Sequence, residues 1–203
     1  DNVPLEAGVV VKNADGEEIE YDGESAIMME QMTVDFAFSP GMMWEDGTPV
    51  TADDSVYSYE LVVDPDTPWP KFTTDRTVSY EATGENSTQW VGIPGWLDSQ
   101  YFVNPVWQPL PRHAWGEFSS AELIEAEESN RFPLSYGAYR IEEWVPGDSI
   151  TMVANENYFR AEEGLPRVET VVFKFIPDTN QLIAQLLAGQ CDIGTQDGMD
   201  VGQ

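Results

Sequence analysis

Residues 44–59 read WEDGTPVTADDSVYSY, a tight turn followed by the start of a helix. The Asp46-Gly47 pair favours the turn, because both residue types readily adopt turn conformations. Thr51, with Asp54 three residues later, has the spacing of a capping box, in which two side chains satisfy free N–H groups at a helix N-terminus. The stretch therefore predicts that a helix begins directly after Thr51.

The segments on either side extend this pattern. Residues 33–38 alternate polar or small with apolar side chains, as a half-buried strand does. Asp64-Pro65 ends the predicted helix. From residue 77 to residue 107, aromatic residues lie among Gly, Pro and Asn, which predicts short strands and long loops. The predicted helix carries three apolar residues on one face: Val56, Tyr59 and Val63.

The last third of the chain predicts a hairpin and a βαβ unit. Residues 139–144 and 150–154 flank Pro146-Gly147-Asp148, as two paired strands flank a turn. An alternating stretch from Val171 to Phe175 precedes a helix from Asp178 to Gly189, and residues 191–193 are typical of a short strand. Strand, helix and strand in series favour a parallel sheet, so we predict a mixed α/β architecture in two parts.

Two helices carry more detailed predictions. Ser119 and Glu122 again have the capping-box spacing, and that helix should run to about Glu128. The helix that Asp178 caps should carry an apolar stripe formed by Leu182, Ile183, Leu186 and Leu187. Of these, Leu182, Leu186 and Leu187 should be buried against a sheet.

The composition excludes several classes of partner. The chain has 203 residues and a formal net charge of −28, from 9 Lys plus Arg against 37 Asp plus Glu. Nucleic acid is an unsuitable partner, because phosphate binding needs clustered cations, and so is an anionic lipid surface. No apolar run approaches the roughly 20 residues of a membrane span, and no signal-peptide pattern stands at the start. Cys191 is the single cysteine, which excludes an internal disulfide.

The acidity itself has three interpretations, and the sequence leaves all of them open. Self-repulsion of a solvated surface keeps a protein soluble. A negative field attracts a cationic ligand. An excess of carboxylates also suits a protein to high salt.

Motifs for catalysis or metal binding are sparse. His113, the only histidine, follows two prolines, and we interpret it as a structural residue of that loop. Gly-x-Ser-x-Gly elbows and Gly-rich phosphate loops are absent. Residues 13–16 and 197–200 match only part of an EF-hand loop, and turn chemistry explains both. With 37 acidic residues, no carboxylate pair indicates a glycosidase by itself. We predict no catalytic residue, no metal and no cofactor.

The stretch at residues 44–59 resembles the signature of the family 5 extracellular solute-binding proteins, the peptide- and nickel-type receptors of bacterial ABC importers. The family usually has a small residue where this chain has Glu45, and here Ser55 precedes the valine. Three further blocks are similar to the family's blocks and occur in the same order. They span residues 109–113, 136–159 and 176–193.

The resemblance implies a clamshell of the type II periplasmic-binding-protein kind. By motif order, residues 1–105 correspond to the extra small domain with adjoining segments. Residues 106–203 correspond to part of the first ligand-binding lobe. The second lobe has no counterpart in this chain, so we expect a fragment with an open, half-built cleft.

The resemblance also implies where a ligand would lie. In the family, the backbone after the Gly-x-x-Asp strand lines the cleft, although a plain polar loop is an equal alternative here. The loop after the Thr51 helix is a second candidate contact for a long ligand. The predicted ligand-binding residues are therefore Gly194, Thr195, Gln196 and Asp197, together with Trp69 and Phe72.

The function that the resemblance implies is non-catalytic capture of a solute, an oligopeptide or dipeptide, for an ABC importer. The partners would be a peptide or other small-molecule ligand and the permease subunits in the membrane. We expect a monomer that is periplasmic or extracellular and tethered to the cell surface. The alternatives are a secreted carboxylate-dependent glycoside hydrolase, a glycan-binding module and a structural interaction module.

Overall fold

A computed structural model describes residues 1–195, which form ten short strands and five helices. The strands are β1 (Asn2–Pro4), β2 (Val10–Lys12), β3 (Glu18–Glu20), β4 (Met28–Glu30), β5 (Thr33–Ala37), β6 (Thr77–Gly84), β7 (Ser87–Gly92), β8 (Tyr139–Val145), β9 (Ser149–Ala154) and β10 (Thr170–Lys174). The helices are α1 (Ala52–Val63), α2 (Arg112–Trp115), α3 (Ser120–Glu125), α4 (Glu127–Asn130) and α5 (Thr179–Leu187). No helix in this part of the chain is both long and apolar enough to cross a bilayer.

The main core lies between α1 and a three-stranded antiparallel sheet in the order β5-β7-β6. Trp90, in the central strand, is completely buried, and Val34 and Tyr80 lie opposite it on the neighbouring strands. Aromatic rings therefore fill this core, as suits a small sheet that must bury much area with few side chains. The strand predicted at residues 33–38 and the helix predicted after Thr51 are both confirmed.

The opposite side of α1 packs against the segment that contains α2 and α3. Tyr57, Trp115 and Leu123 form this second cluster, and the Tyr57 hydroxyl donates to the Trp115 carbonyl at 3.0 Å. Of the three apolar residues on the predicted face of α1, Val56 and Tyr59 pack against the main core, whereas Val63 is 48% exposed. Helix α1 instead buries Ser55, whose hydroxyl lies 2.8 Å from that of Tyr80.

The helix predicted from Ser119 to about Glu128 is shorter than expected. Its capping box is present, since the Ser119 hydroxyl accepts from the Glu122 N–H and the Glu122 carboxylate accepts from the Ser119 N–H. The helix ends at Glu125, because Ala126 has an extended backbone with ψ of 140°. A separate turn of helix, α4, follows it.

The C-terminal part contains the predicted hairpin but not the predicted parallel sheet. Strands β8 and β9 pair antiparallel around Gly147, which has a φ of 78°. Strand β10 pairs antiparallel with β9, so within residues 1–195 every strand pair is antiparallel. Residues 191–193 form no strand, which contradicts the βαβ prediction. A βαβ unit needs a strand that runs parallel to β10 in the same sheet, and the described residues provide none.

Helix α5 begins where predicted. The Asp178 carboxylate accepts from the Gln181 N–H at 2.7 Å, and Gly189 has the positive φ of a helix end. The predicted stripe is only partly buried: Leu182 is 8% exposed, Leu186 is half-buried and Leu187 is 86% exposed. Burial of Leu187 was therefore a wrong expectation.

The first thirty residues form two small ribbons, β1 with β4 and β2 with β3. We call residues 1–30 the N-terminal ribbons. Their strands have three residues each, and Val11 and Tyr21 are their buried apolar side chains. The Lys12 N–H donates to the Pro94 carbonyl, and the Gly95 N–H donates to the Glu30 carbonyl. These bonds attach the ribbons to the rest of the fold.

Candidate functional site

The signature turn at residues 44–47 lies against the C-terminal hairpin. The Glu45 N–H donates to the Ser135 carbonyl at 2.8 Å, and the Ser135 N–H donates to the Glu45 carboxylate at 2.9 Å. The Asn157 side chain donates to the Glu45 carbonyl at 2.9 Å. Trp44, which is 1% exposed, packs edge-on against Tyr136 with ring centroids 5.1 Å apart. The turn thus joins the two parts that the sequence distinguished.

Two carboxylates of this turn have shifted pKa values in opposite directions. Burial raises the pKa of Glu45 and outweighs the hydrogen bond from the Ser135 N–H and the attraction of Arg140. Burial also acts to raise the pKa of Asp46. The hydrogen bonds from the Thr48 N–H and from His113 outweigh that effect and lower the pKa overall. The His113 Nε2 lies 2.9 Å from the Asp46 carboxylate, consistent with a structural histidine.

Asp54 fastens the start of α1 to the neighbouring segments. One carboxylate oxygen accepts from the Thr51 N–H at 2.9 Å and lies 3.4 Å from the Trp44 indole nitrogen. The other accepts from the Arg112 N–H at 3.1 Å. Since Asp54 is 5% exposed, these bonds compensate for removing its carboxylate from water. The predicted capping box therefore also serves as a tertiary contact.

The loop after α1 holds two of the predicted ligand-binding residues at the surface. Lys71 orders the loop, because its ammonium group donates to the carbonyl oxygens of Val62, Asp64 and Thr67 at the end of the helix. Trp69 is 64% exposed and Phe72 is 59% exposed. Both rings are accessible to a ligand.

The Phe72 ring already has partners on its inner side. It packs edge-on against Trp96 with centroids 6.2 Å apart, and the Arg76 guanidinium lies 3.9 Å from its centroid. Arg76 also forms an ion pair with Glu18 of the N-terminal ribbons. Phe72 is thus a fixed ring with one free face, whereas no ring contact involves Trp69 in the described residues.

The other predicted ligand-binding residues follow α5. Gly194 is half-buried and Thr195 is exposed. Gln196 and Asp197 lie outside the described residues. Within residues 1–195, no hydrogen bond, ion pair or ring contact joins Thr195 to the loop of Trp69 and Phe72. The structure places Gly194 and Thr195 on a separate segment from Trp69 and Phe72, and none of these contacts joins them in the described part of the chain.

One open cavity lies beside the signature turn, and a second lies beside Tyr136, which packs against Trp44 of that turn. One, of about 450 Å³, is polar, and Glu45, Arg140 and Asn157 are among the residues that line it. The other, of about 350 Å³, is lined mainly by apolar and aromatic side chains, including Phe36, Phe38, Phe102, Trp107 and Tyr136.

Sequence reasoning did not select the residues of the apolar cavity as a site. The aromatic-rich segment before Trp107 was the available signal, but a ring in a core and a ring in a cleft look alike in sequence. Phe102 is 64% exposed, and Asp98 orders its loop by accepting from the Gln100 N–H and from the Asn104 side chain. The cavity suits an apolar side chain or a ring.

The partial metal-loop match at residues 13–16 is a hydrogen-bonded turn. The Asn13 side-chain oxygen accepts from the Asp15 and Glu17 N–H groups, and Gly16 has a φ of 82°. In residues 1–195, no three His, Cys, Asp or Glu side chains are grouped as metal ligands. The match at residues 197–200 lies outside the described residues.

Residues 25–200 match the profile of the family described as bacterial extracellular solute-binding proteins, family 5 middle. The chain belongs to this family. The resemblance inferred from residues 44–59 and the three later blocks is therefore confirmed.

Among its relatives is the oligopeptide-binding protein AppA of Bacillus subtilis, which is 31% identical over 161 residues. The match covers 78% of this chain and 29% of AppA. The structure of AppA in complex with a nonapeptide matches with a TM-score of 0.69 and 27% identity, over 91% of this chain and 36% of that one. The mixed α/β fold of the periplasmic oligopeptide-binding proteins is thereby confirmed.

A third comparison concerns the fold alone. The oligopeptide-binding protein of Thermus thermophilus, complexed with a pentapeptide, matches with a TM-score of 0.62 at 18% identity, over 90% of this chain and 37% of that one. The chain thus spans about a third of the length of the relatives that it matches.

Proposed function

We propose that this chain is part of an oligopeptide-binding receptor of a bacterial ABC importer and that it acts without catalysis. The observation that carries the proposal is the match to AppA, whose structure contains a nonapeptide, over 91% of this chain. Such receptors hold the solute between two lobes and close around it. Neither the hydrolase nor the interaction-module alternative has comparable support.

Within the receptor, we place peptide contacts at Gly194, Thr195, Gln196 and Asp197, with Trp69 and Phe72 as further contacts for a long peptide. The exposed faces of Trp69 and Phe72 support the second group. The half-buried backbone at Gly194 beside the exposed Thr195 supports the first. Backbone N–H and C=O groups bind peptides of varied sequence, because every peptide presents the same main chain.

The domain division belongs to the same proposal. Residues 1–105 form the extra small domain with adjoining segments, and residues 106–203 form part of the first lobe. The permease subunits are the membrane partners, and the receptor acts as a monomer tethered to the outer face of the cell. A family of extracellular solute-binding proteins supports this location.

The test is binding by the complete gene product that carries this chain. Peptides that co-purify with the receptor would be identified by mass spectrometry, and synthetic copies would be titrated by calorimetry. We expect dissociation constants of about 10 μM or tighter for peptides, and no heat with mannohexaose or cellohexaose as glycan probes. Binding of glycans but not of peptides would overturn the proposal. So would peptide or glycan turnover that is lost when one Asp or Glu is replaced.

A further inference from the structure

Almost every carboxylate in residues 1–195 faces solvent. The exceptions are Glu45, Asp54, Asp64 and Asp98, which are half-buried or buried. Each of these four accepts hydrogen bonds from protein groups. The remaining carboxylates are distributed over the ribbons, the helices and the hairpin instead of lining one surface. A field dedicated to a cationic ligand would concentrate near the ligand, so this distribution disfavours that interpretation of the charge.

Cationic side chains do not balance this surface. Against 37 Asp plus Glu, the chain has 9 Lys plus Arg. The arginine ion pairs in residues 1–195 use Glu18, Glu60, Glu127 and Glu163. Lys71 is engaged with backbone carbonyl groups at the end of α1. Most exposed carboxylates therefore have no cationic partner and repel one another.

The repulsion opposes folding most directly in the N-terminal ribbons. Nine carboxylates and one lysine, Lys12, lie in residues 1–30. Arg76 pairs with Glu18, so the other eight carboxylates of the ribbons have no ion-pair partner in the described residues. Glu18 and Glu20 lie on the same face of β3, because alternate residues of a strand share a face. Two-stranded ribbons are marginal in water even without such repulsion. Val11 and Tyr21 are buried, but the other apolar side chains add little, since Ile19 is 43% exposed and Met28 is 59% exposed.

We propose that the N-terminal ribbons are stably folded only at molar salt, where diffuse monovalent cations screen the repulsion among their carboxylates. The Debye length falls from about 10 Å at 0.1 M to about 3 Å at 1 M salt, so unpaired surface carboxylates several ångströms apart cease to interact. No specific cation site is required. The buried contacts of Trp90 and Tyr57 are unaffected by screening, so the effect is strongest in the ribbons.

The test is hydrogen–deuterium exchange of the complete gene product at 0.1 M and 2 M KCl, followed in peptides from residues 1–30 and from β7. The protection of the ribbon amides against exchange should rise at least about tenfold between the two salt concentrations. This corresponds to about 1.4 kcal/mol in the free energy of local opening. Protection of β7 should change less. Equal protection of the ribbons at both salt concentrations would overturn the proposal. Full protection at 5 mM MgCl₂ would also overturn it, because it would indicate a specific site.

A charge-neutralised variant separates repulsion from the general strengthening of apolar contacts by salt. Glu6→Gln, Asp15→Asn, Glu20→Gln and Glu24→Gln remove four exposed charges whose side chains make no hydrogen bond in the described structure. In this variant, the ribbon amides should be protected against exchange already at 0.1 M KCl. A matched control carries four neutralised carboxylates elsewhere: Glu117→Gln, Glu125→Gln, Glu128→Gln and Glu143→Gln.

The control should keep the salt dependence of the ribbons. If the ribbon variant retains the dependence of the original chain, or if the control abolishes it equally, the local repulsion among the ribbon carboxylates is not the cause.

Discussion

Glu45 and Ser135 exchange two hydrogen bonds across 90 residues of sequence. Each backbone N–H is a donor, to the Ser135 carbonyl in one bond and to the Glu45 carboxylate in the other. The pair attaches the signature turn to the segment that enters the C-terminal hairpin. The second bond depends on the carboxylate of Glu45, so a residue without a side-chain acceptor at this position would lose it.

Two replacements of Glu45 should distinguish the contribution of its hydrogen bond to stability from the contribution of its charge. Glu45→Ala leaves the Ser135 N–H without its side-chain acceptor and should lower the free energy of unfolding by about 1–3 kcal/mol. Glu45→Gln keeps an acceptor oxygen and should leave stability at pH 7 equal or higher. Urea unfolding monitored by tryptophan fluorescence would measure both. If both variants lower the free energy of unfolding equally, the hydrogen bond is not the stabilising element.

The raised pKa of Glu45 also predicts a pH dependence. Burial favours the protonated carboxyl in the folded state, so the stabilisation that this shift provides is complete below the unfolded value of 4.5 and is lost as the pH rises through the folded pKa. Glu45→Gln should therefore gain stability relative to the original chain between pH 4.5 and neutrality. Parallel unfolding curves at several pH values would check this. A constant difference between the two proteins would contradict it.

Asp54 should be among the most sensitive positions of the fold. Asp54→Ala removes the acceptor for the N–H groups of Thr51 and Arg112 and should cost about 3 kcal/mol or more. Asp53→Ala is the matched control, since Asp53 is exposed in the same helical turn and contributes mainly through the helix dipole, about 0.5 kcal/mol. Similar costs for the two variants, measured by urea denaturation, would contradict the role of Asp54 as a tertiary contact.

The two ends of the apolar stripe on α5 should contribute unequally to the stability of the fold. Leu182→Ala should cost about 2–5 kcal/mol, because the side chain is buried. Leu187→Ala should change stability by less than about 0.5 kcal/mol, because Leu187 is 86% exposed. Thermal unfolding of the two variants would compare them. A cost at Leu187 as large as that at Leu182 would show that additional polypeptide covers this face.

Ligand binding should depend on both proposed segments. In the complete gene product, Thr195→Ala, Gln196→Ala and Trp69→Ala should each weaken peptide affinity about 3- to 30-fold, or about 0.7–2 kcal/mol. Phe159→Ala removes another exposed aromatic ring and serves as the control. Residues 1–203 alone should show no calorimetric binding at micromolar peptide, because one wall of a cleft forfeits the contacts of the other. Tight binding by this segment alone would mean that its site is complete.

Short-range signals in the sequence determined most of the local structure. Capping residues act on N–H groups three positions away, so Thr51, Ser119 and Asp178 were sufficient to locate three helix starts. The turn at Gly147 and the family motif at residues 44–59 were likewise local. The aromatic composition of residues 77–107 predicted short strands and loops, and β6 and β7 formed there.

Tertiary structure alone decided which faces were buried and which segments met. Ser55 points inward because the Tyr80 hydroxyl satisfies it, while Val63 and Leu187 remain exposed because nothing in residues 1–195 covers them. Strand β10 pairs antiparallel because its neighbour is β9. Burial and pairing depend on which distant partner comes within a few ångströms. A pattern that spans a few residues records the preference of a segment, but not the identity of its neighbour.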